Sequence, residues 1–222
     1  MSSEKHIRIL SLGSVLADAQ ERYVRWFTVL QRLDIPWGMH GLERKLVKTS
    51  LSGNIGVSYK RSKGVKTLGV DFYQGRPDMD DRMGVTFNAD KFSESLNYVW
   101  DVVIPTYIDA MQPYKLSVED VDLLVHKGSL VQEMTYEKRM AYRGAIKSDR
   151  EQLRDIWQVN FWADQQCRNY FGVSAETVVS RLLGHVAKAA LLDGGAYIIY
   201  SYDVLSPEEV AAIEPAIRKL LN

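Results

Sequence analysis

Asp193-Gly194-Gly195-Ala196-Tyr197-Ile198-Ile199-Tyr200 divides the last third of the chain into two patterns, and its reading decides the fold. Upstream, residues 173–192 repeat apolar side chains at helical spacing behind Ser174, a residue type that caps helix N-termini. The Asp-Gly-Gly sequence predicts the C-cap of that helix and a tight turn. Residues 196–200, rich in Tyr and Ile, predict a strand. Ser206-Pro207-Glu208-Glu209 opens a last helix that closes on Lys219-Leu220-Leu221, with proline and acids at its start and a cation in its last turn. Ahead of these, residues 153–171 read as another helix, in which Trp157, Phe161 and Trp162 recur as core. The segment is helix, helix, turn, strand, helix. It holds no nucleophile–base pair, no metal-ligand spacing and no phosphate loop, so residue chemistry alone assigns no reaction.

Working toward the N-terminus, residues 7–12 predict a first strand ended by Gly13-Ser14, and residues 18–33 an amphipathic helix with Tyr23, Phe27 and Leu30 on one face. A short strand is expected at 55–59. The runs 68–72 and 83–87 predict an antiparallel hairpin with a long, turn-rich loop between them. Asn88 or Asp90 caps a helix over about 91–112, with Phe92, Leu96, Val99, Val103 and Ile104 as its stripe and Pro105 as a kink. Ser117-Val118-Glu119-Asp120 has the form of a capping box for a short helix, and 131–136 has strand composition. No linker or repeat interrupts the 222 residues. The expectation is one α/β domain, an α+β sheet packed with helices, spanning 1–222, whose sheet includes 7–12, 68–72, 83–87 and 196–200.

Composition narrows the classes of function. Formal net charge is zero, so no global field favours nucleic acid. Locally the balance is uneven: residues 1–70 carry 12 Lys and Arg against 5 Asp and Glu, and the remainder 16 against 23. That asymmetry is read either as solvated loops around 44–48 and 60–66 or as two faces of opposite sign, one of which meets a partner. Cys167 is the one cysteine, expected to be a buried inert thiol beside Trp162 and Phe171. The first residues lack an apolar signal region, and no apolar run approaches 18 residues; a cytoplasmic protein without a membrane span is expected. Five Trp and twelve Tyr promise apolar area for a core with a surplus for an interface, from which a homodimer is expected.

Candidate sites are few. Asp78, Asp80 and Asp81 form the densest carboxylate group, in a loop flanked by Arg76 and Arg82. Three readings apply: an exposed loop without a task, a negative patch for a basic partner, or oxygen ligands for a divalent cation, although the glycine and distal glutamate of an EF-hand are missing. His6, His40, His126 and His185 form no HxH or HxxxH spacing, so no metal and no cofactor are expected. His185 reads as a packed helix residue and His40 as the exposed one, a weak candidate for a general base. Asp71 with Asp80 would be the acid/base pair of an enzyme reading.

Several stretches resemble the immunity proteins of bacterial polymorphic-toxin and type VI secretion systems: Gly69-Val70-Asp71-Phe72-Tyr73, residues 153–171 around Asn160-Phe161-Trp162, and residues 178–200 with Leu182-Leu183-Gly184 and Asp193-Gly194-Gly195-Ala196-Tyr197. The resemblance implies stoichiometric inhibition of a nuclease-type toxin, with no catalytic residue, no cofactor and no direct contact with nucleic acid. Toxins that cut nucleic acid need a positive cleft, and an inhibitor gains association rate by offering carboxylates there. Asp78, Asp80 and Asp81 are therefore the expected partner-binding residues, with Tyr73 and Trp37 as aromatic anchors. Replacing the three aspartates by Asn is expected to slow association and leave the fold almost unchanged. The competing classes are a small-ligand-binding or regulatory domain and a carboxylate-dependent hydrolase.

Overall fold

An eight-stranded, wholly antiparallel sheet runs through the computed structural model, which describes all residues except 1–2, 13–17, 45–46, 48–49, 51–52, 146–147, 154 and 222, and no side chain in 141–145. The strands are β1 (Glu4–Leu12), β2 (Ile55–Lys60), β3 (Val65–Phe72), β4 (Asp80–Asn88), β5 (Lys115–Asp120), β6 (Val159–Ala163), β7 (Lys188–Leu192) and β8 (Gly195–Ile199), in the order β2-β3-β4-β1-β5-β6-β8-β7. The helices are α1 (Ala19–Leu30), α2 (Leu96–Tyr98), α3 (Ile104–Met111), α4 (Val121–Gln132), α5 (Tyr136–Ala145), α6 (Asp164–Phe171), α7 (Ala175–Leu182) and α8 (Pro207–Leu221). The fold is α+β, and the four strands expected to share a sheet do so.

Two apolar layers flank the sheet. On one face α1, α2, α3 and the helical turns around α2 pack on Ile7 and Ile9 of β1, Val85 and Phe87 of β4, Leu116 and Val118 of β5, and Tyr197 and Ile199 of β8. Tyr23 and Trp26 of α1 stack with ring centroids 6.0 Å apart. On the other face α6, α7 and α8 cover Trp162 of β6 and Ala196 and Ile198 of β8. Strands β5 and β8 are buried along their whole length, whereas β2 alternates buried and open positions.

Local chemistry explains the elements. Asp18 caps α1 through Gln20 N–H, and Ser174 caps α7 through Thr177 N–H. Ser206 and Glu209 exchange the two bonds of a capping box at α8: Ser206 Oγ accepts from Glu209 N–H at 3.2 Å and Glu209 Oε2 from Ser206 N–H at 2.8 Å. Asn88 caps the segment leading to α3, which begins as a 3₁₀ turn (Ala89–Ser95) and passes through a π-helical stretch (Val99–Val103) immediately before Pro105 in the first turn of α3. The kink expected at Pro105 is thus absorbed by a widened helical turn.

Four expectations are corrected. The helix of 173–192 ends at Leu182, and residues 188–192 are β7. Asp193-Gly194 is the two-residue loop of the β7–β8 hairpin, with φ of 47° and 73° and Leu192 opposite Gly195. Positive φ at both central residues is what a type I′ turn demands, so the dipeptide is a hairpin signal rather than a helix cap. Residues 153–171 hold β6 followed by α6. Val159 and Phe161 face one layer, Asn160 and Trp162 the other, and both sets are buried; burial on two faces removes the period-two signal from the sequence. Ser117 lies inside β5, and the true cap is Asp120, whose Oδ1 accepts from Leu123 N–H at 3.0 Å to start α4. Residues 131–136 join α4 to α5 rather than forming a strand. The Gly13-Ser14 turn and most of the 44–48 stretch lie outside the described residues.

Candidate partner interface

The β3–β4 turn carries the acidic cluster, and its three aspartates have three different fates. Asp78 is exposed and held by Arg76, whose Nε and Nη2 donate to its two oxygens at 2.9 and 2.8 Å. Those bonds hold its carboxyl below the usual range. Asp80 opens β4 and is mostly covered: Oδ2 accepts from the Tyr114 hydroxyl at 2.9 Å and Oδ1 from Arg150 Nε at 2.7 Å. Asp81 is buried, contrary to its reading as an exposed carboxylate. Its side chain faces the inner layer of β4, where Arg22 of α1 lies 2.8 Å away and Tyr73 N–H donates at 2.8 Å. Burial raises its pKa despite both partners.

Tyr73 is half-buried and contributes backbone rather than ring: its N–H bonds Asp81 and its carbonyl accepts from Arg22. Trp37 is buried, so it offers no exposed anchor. Its ring meets Phe87 edge-on at 5.2 Å and Phe92 at 4.8 Å, and its carbonyl accepts from Tyr107. The five expected residues therefore do not form one surface. The turn is a buttress in which two carboxylates hold Arg22 and Arg150, leaving Asp78 as the exposed acid.

Beside the buttress lies a cavity of about 600 Å³ between the ends of β1, α1, α3 and α6. Its exposed wall area is mainly apolar, with Phe72 and Tyr114 as aromatic lining, and its polar positions include Arg22, Arg25 and Arg150 together with the Asp81 carboxylate and the amides of Gln165 and Asn169. Each arginine is engaged: Arg22 by Asp81, Arg25 by Asp109 and Arg150 by Asp80. Among the described residues no three His, Cys, Asp or Glu side chains are grouped to hold a metal ion. Asp71 and Asp80 are not cross-strand partners; Asp71 stands opposite Arg82. His185 lies beyond the end of α7 and is exposed, not packed in a helix; His40 is exposed as expected.

The surface that sequence reasoning missed is α4–α5. No residue of α4 is buried, and Val125, Leu130, Tyr136 and Met140 are among the exposed large apolar side chains, Tyr136 at 70%. Lys127 ties α4 to the body by pairing with Asp155 and lying over the Trp157 ring at 5.1 Å. The available signal was the absence of a clean apolar stripe in 121–132. All five tryptophans are buried, so among the described residues the exposed part of the aromatic surplus is tyrosine, Tyr98 and Tyr136.

Behind β1 and β5 sits a buried polar cluster. Lys115 and Arg8 both pair with Asp149, at 2.9 and 3.0 Å, and Glu119 accepts from Ser117 at 2.9 Å with Arg8 at 3.7 Å. Burial raises the Glu119 pKa against the pull of Arg8, Ser117 and Lys115. No described helix is long and apolar enough to cross a membrane.

No protein-family model and no curated protein matches the chain. Among solved structures, one described as the Pseudomonas aeruginosa T6SS protein PA0821 covers 98% of this chain and 71% of its own, with a TM-score of 0.57 at 10% identity. At that identity the likeness is one of fold.

Proposed function

We propose that this chain is a binding protein of a type VI secretion system, an immunity protein that neutralises a cognate toxin. The observation that carries the reading is the likeness of fold to a T6SS protein across 98% of the chain. The sequence resemblance to immunity proteins supports it independently. Within that reading the finer assignment is a TsiT-like protein, cognate to a toxin with a restriction-endonuclease-like nuclease domain, acting in the cytoplasm and without catalysis of its own. Inhibition would proceed by covering the active cleft or disturbing toxin assembly. The apolar surface of α4–α5 suits the second route better than the acidic turn suits the first, because Asp80 and Asp81 are committed to internal pairs. Self-association belongs to the same proposal and rests on the exposed apolar side chains of α4–α5, Tyr136 among them; light scattering at micromolar concentration, giving twice the chain mass, checks it.

The test is co-expression with the product of the adjacent gene. Growth rescue and co-purification at a fixed ratio are the expected outcome; a toxic neighbour that is neither bound nor silenced refutes the proposal. The cavity of about 600 Å³ favours one second reading, a small-ligand-binding domain for a largely apolar molecule. A metabolite-class ligand retained through purification would favour it.

A further inference from the structure

Two glycines, Gly69 and Gly84, stand side by side where the sheet has no helix over it, with a third, Gly56, one row away. Ser58, Gly69, Gly84, Arg8 and Ser117 form one cross-strand row, and Gly56 lies in the next row with Asp71, Arg82 and Leu10. On the other side of the glycine row run Lys60, Thr67, Thr86 and His6. Gly69 and Gly84 are directly paired, so the sheet presents bare backbone between two walls of side chains. The depression has a volume of about 630 Å³. Rows two residues from the glycines stand about 6.5 Å to each side, which leaves room for one extended chain.

Backbone geometry does not ask for these glycines. None of the three has positive φ, and the one register shift in the β3–β4 pair lies elsewhere, between Val65 and Thr67. A Cβ on Gly69 would meet nothing nearer than the Val57 carbonyl at 3.3 Å, whereas one on Gly84 would crowd the His6 ring at 3.0 Å and one on Gly56 the Asp71 carboxyl at 2.7 Å. Glycine in a strand interior costs about 0.5–1 kcal/mol each. At Gly84 and Gly56 the close neighbours are thus the chain's own His6 and Asp71, whereas no side chain crowds Gly69, and a strand glycine without a bulge often marks a place where another backbone or a ligand approaches.

The charges on the walls say what comes close. Lys60 and Arg82 are exposed, Arg8 is about one-third exposed, and His6 hydrogen-bonds Thr86 at 3.0 Å. Asp71 is the exposed carboxylate of the depression; Glu119 and Asp149 behind it are buried and engaged. Among the described residues Arg82 has no hydrogen-bond or salt-bridge partner, and the field of Asp71 across the strand pair is what reaches it. The hydroxyls of Ser58, Thr67 and Thr86 add donors.

We propose that this glycine-floored trough across β2, β3, β4 and β1 is a docking site for an extended, acidic peptide segment of a protein partner. The segment's backbone lies over Gly69 and Gly84, and its carboxylates reach Arg82 and Lys60; Arg8 at the far wall is held by Asp149 and Glu119. The site stands whether or not that partner is a toxin. The experiment titrates ¹⁵N-labelled protein at low salt with an end-blocked octapeptide of alternating Glu and Ala, and follows backbone amides and peptide anisotropy. Saturable shifts are expected at Gly56, Gly69 and Gly84. Arg82→Glu should weaken binding at least tenfold without altering the rest of the spectrum, and Gly84→Val should do likewise where it folds. Arg76→Glu, on the neighbouring turn, should leave binding unchanged. Shifts confined to other residues, equal binding of the Lys-Ala octapeptide, or an unaffected Arg82→Glu protein would each overturn the proposal. Competition by oligothymidylate at equal concentration would reassign the trough to phosphate polymers.

Discussion

The two ends of the sheet differ in how many of their faces are covered. At the β5-β6-β8 end, helices pack on both sides, and side chains pointing either way are buried: Phe161 and Tyr197 on one face, Trp162 and Ile198 on the other. At the β2-β3-β4 end, α1 and its neighbours cover one face and nothing described covers the other, where glycines, hydroxyls and arginines lie open. Burial on two faces fixes strands by packing, and burial on one leaves a face free for recognition. The covered end should therefore carry stability, and the open end should tolerate change.

The largest effect is expected from Trp162→Ala, which empties a fully buried site against Phe171 at the covered end. Urea unfolding should show a loss of about 3–5 kcal/mol. Next comes Asp81→Ala at the foot of the open end, which removes both the acceptor of the Tyr73 N–H and the counter-charge of Arg22. A loss of about 1–3 kcal/mol is expected, which replaces the near-neutral outcome read from the sequence for this aspartate. Should it prove neutral, the buttress is not what holds α1 to β4.

Gly194→Ala tests the hairpin turn at the covered edge. With φ of 73°, a Cβ there is strained, and about 1 kcal/mol should be lost. His6 gives the pH dependence of the open end. Burial, then Arg8, depresses its pKa below 6.5, so the unfolded chain takes up a proton before the folded one does. Its contribution to stability is present above pH 6.5 and is lost as pH falls through and below that value. The drop in Tm between pH 7.5 and 5.5 should accordingly be smaller in His6→Gln than in the parent protein. Smallest of all, Arg82→Ala should change stability by no more than about 0.5 kcal/mol; a larger loss would mean that the open face is structural after all.

The same contrast explains what the sequence disclosed. β1, β3 and β4 alternate in burial, and their runs were readable. β6 reads as helix in the sequence because Val159, Phe161 and Trp162 are apolar on both sides, and Ala189-Ala190-Leu191-Leu192 does so because residues with good helix propensity are drawn into a ladder by the Asp-Gly turn. Caps at Ser174 and Ser206, and Asn88 as one of two candidates, are legible because their chemistry is local, whereas Asp18, read as the first helical residue, is the cap of α1. The acidic cluster was found, but its exposure was not, since that depends on Arg22 and Arg150, 59 and 70 residues away. Strand glycines carry no period of their own; Gly56, Gly69 and Gly84 acquire meaning only once register sets them together.

Cys167 sits at the covered end with no exposed surface, its Sγ 3.5 Å from the Trp162 carbonyl and its pKa pushed up to about 12, chiefly by burial. A thiol so placed is a built-in stopwatch. An alkylating reagent can reach it only while α6 and β6 stand apart, so the labelling rate at fixed pH counts those openings directly. No introduced probe is needed, because the chain has no second cysteine to blur the signal.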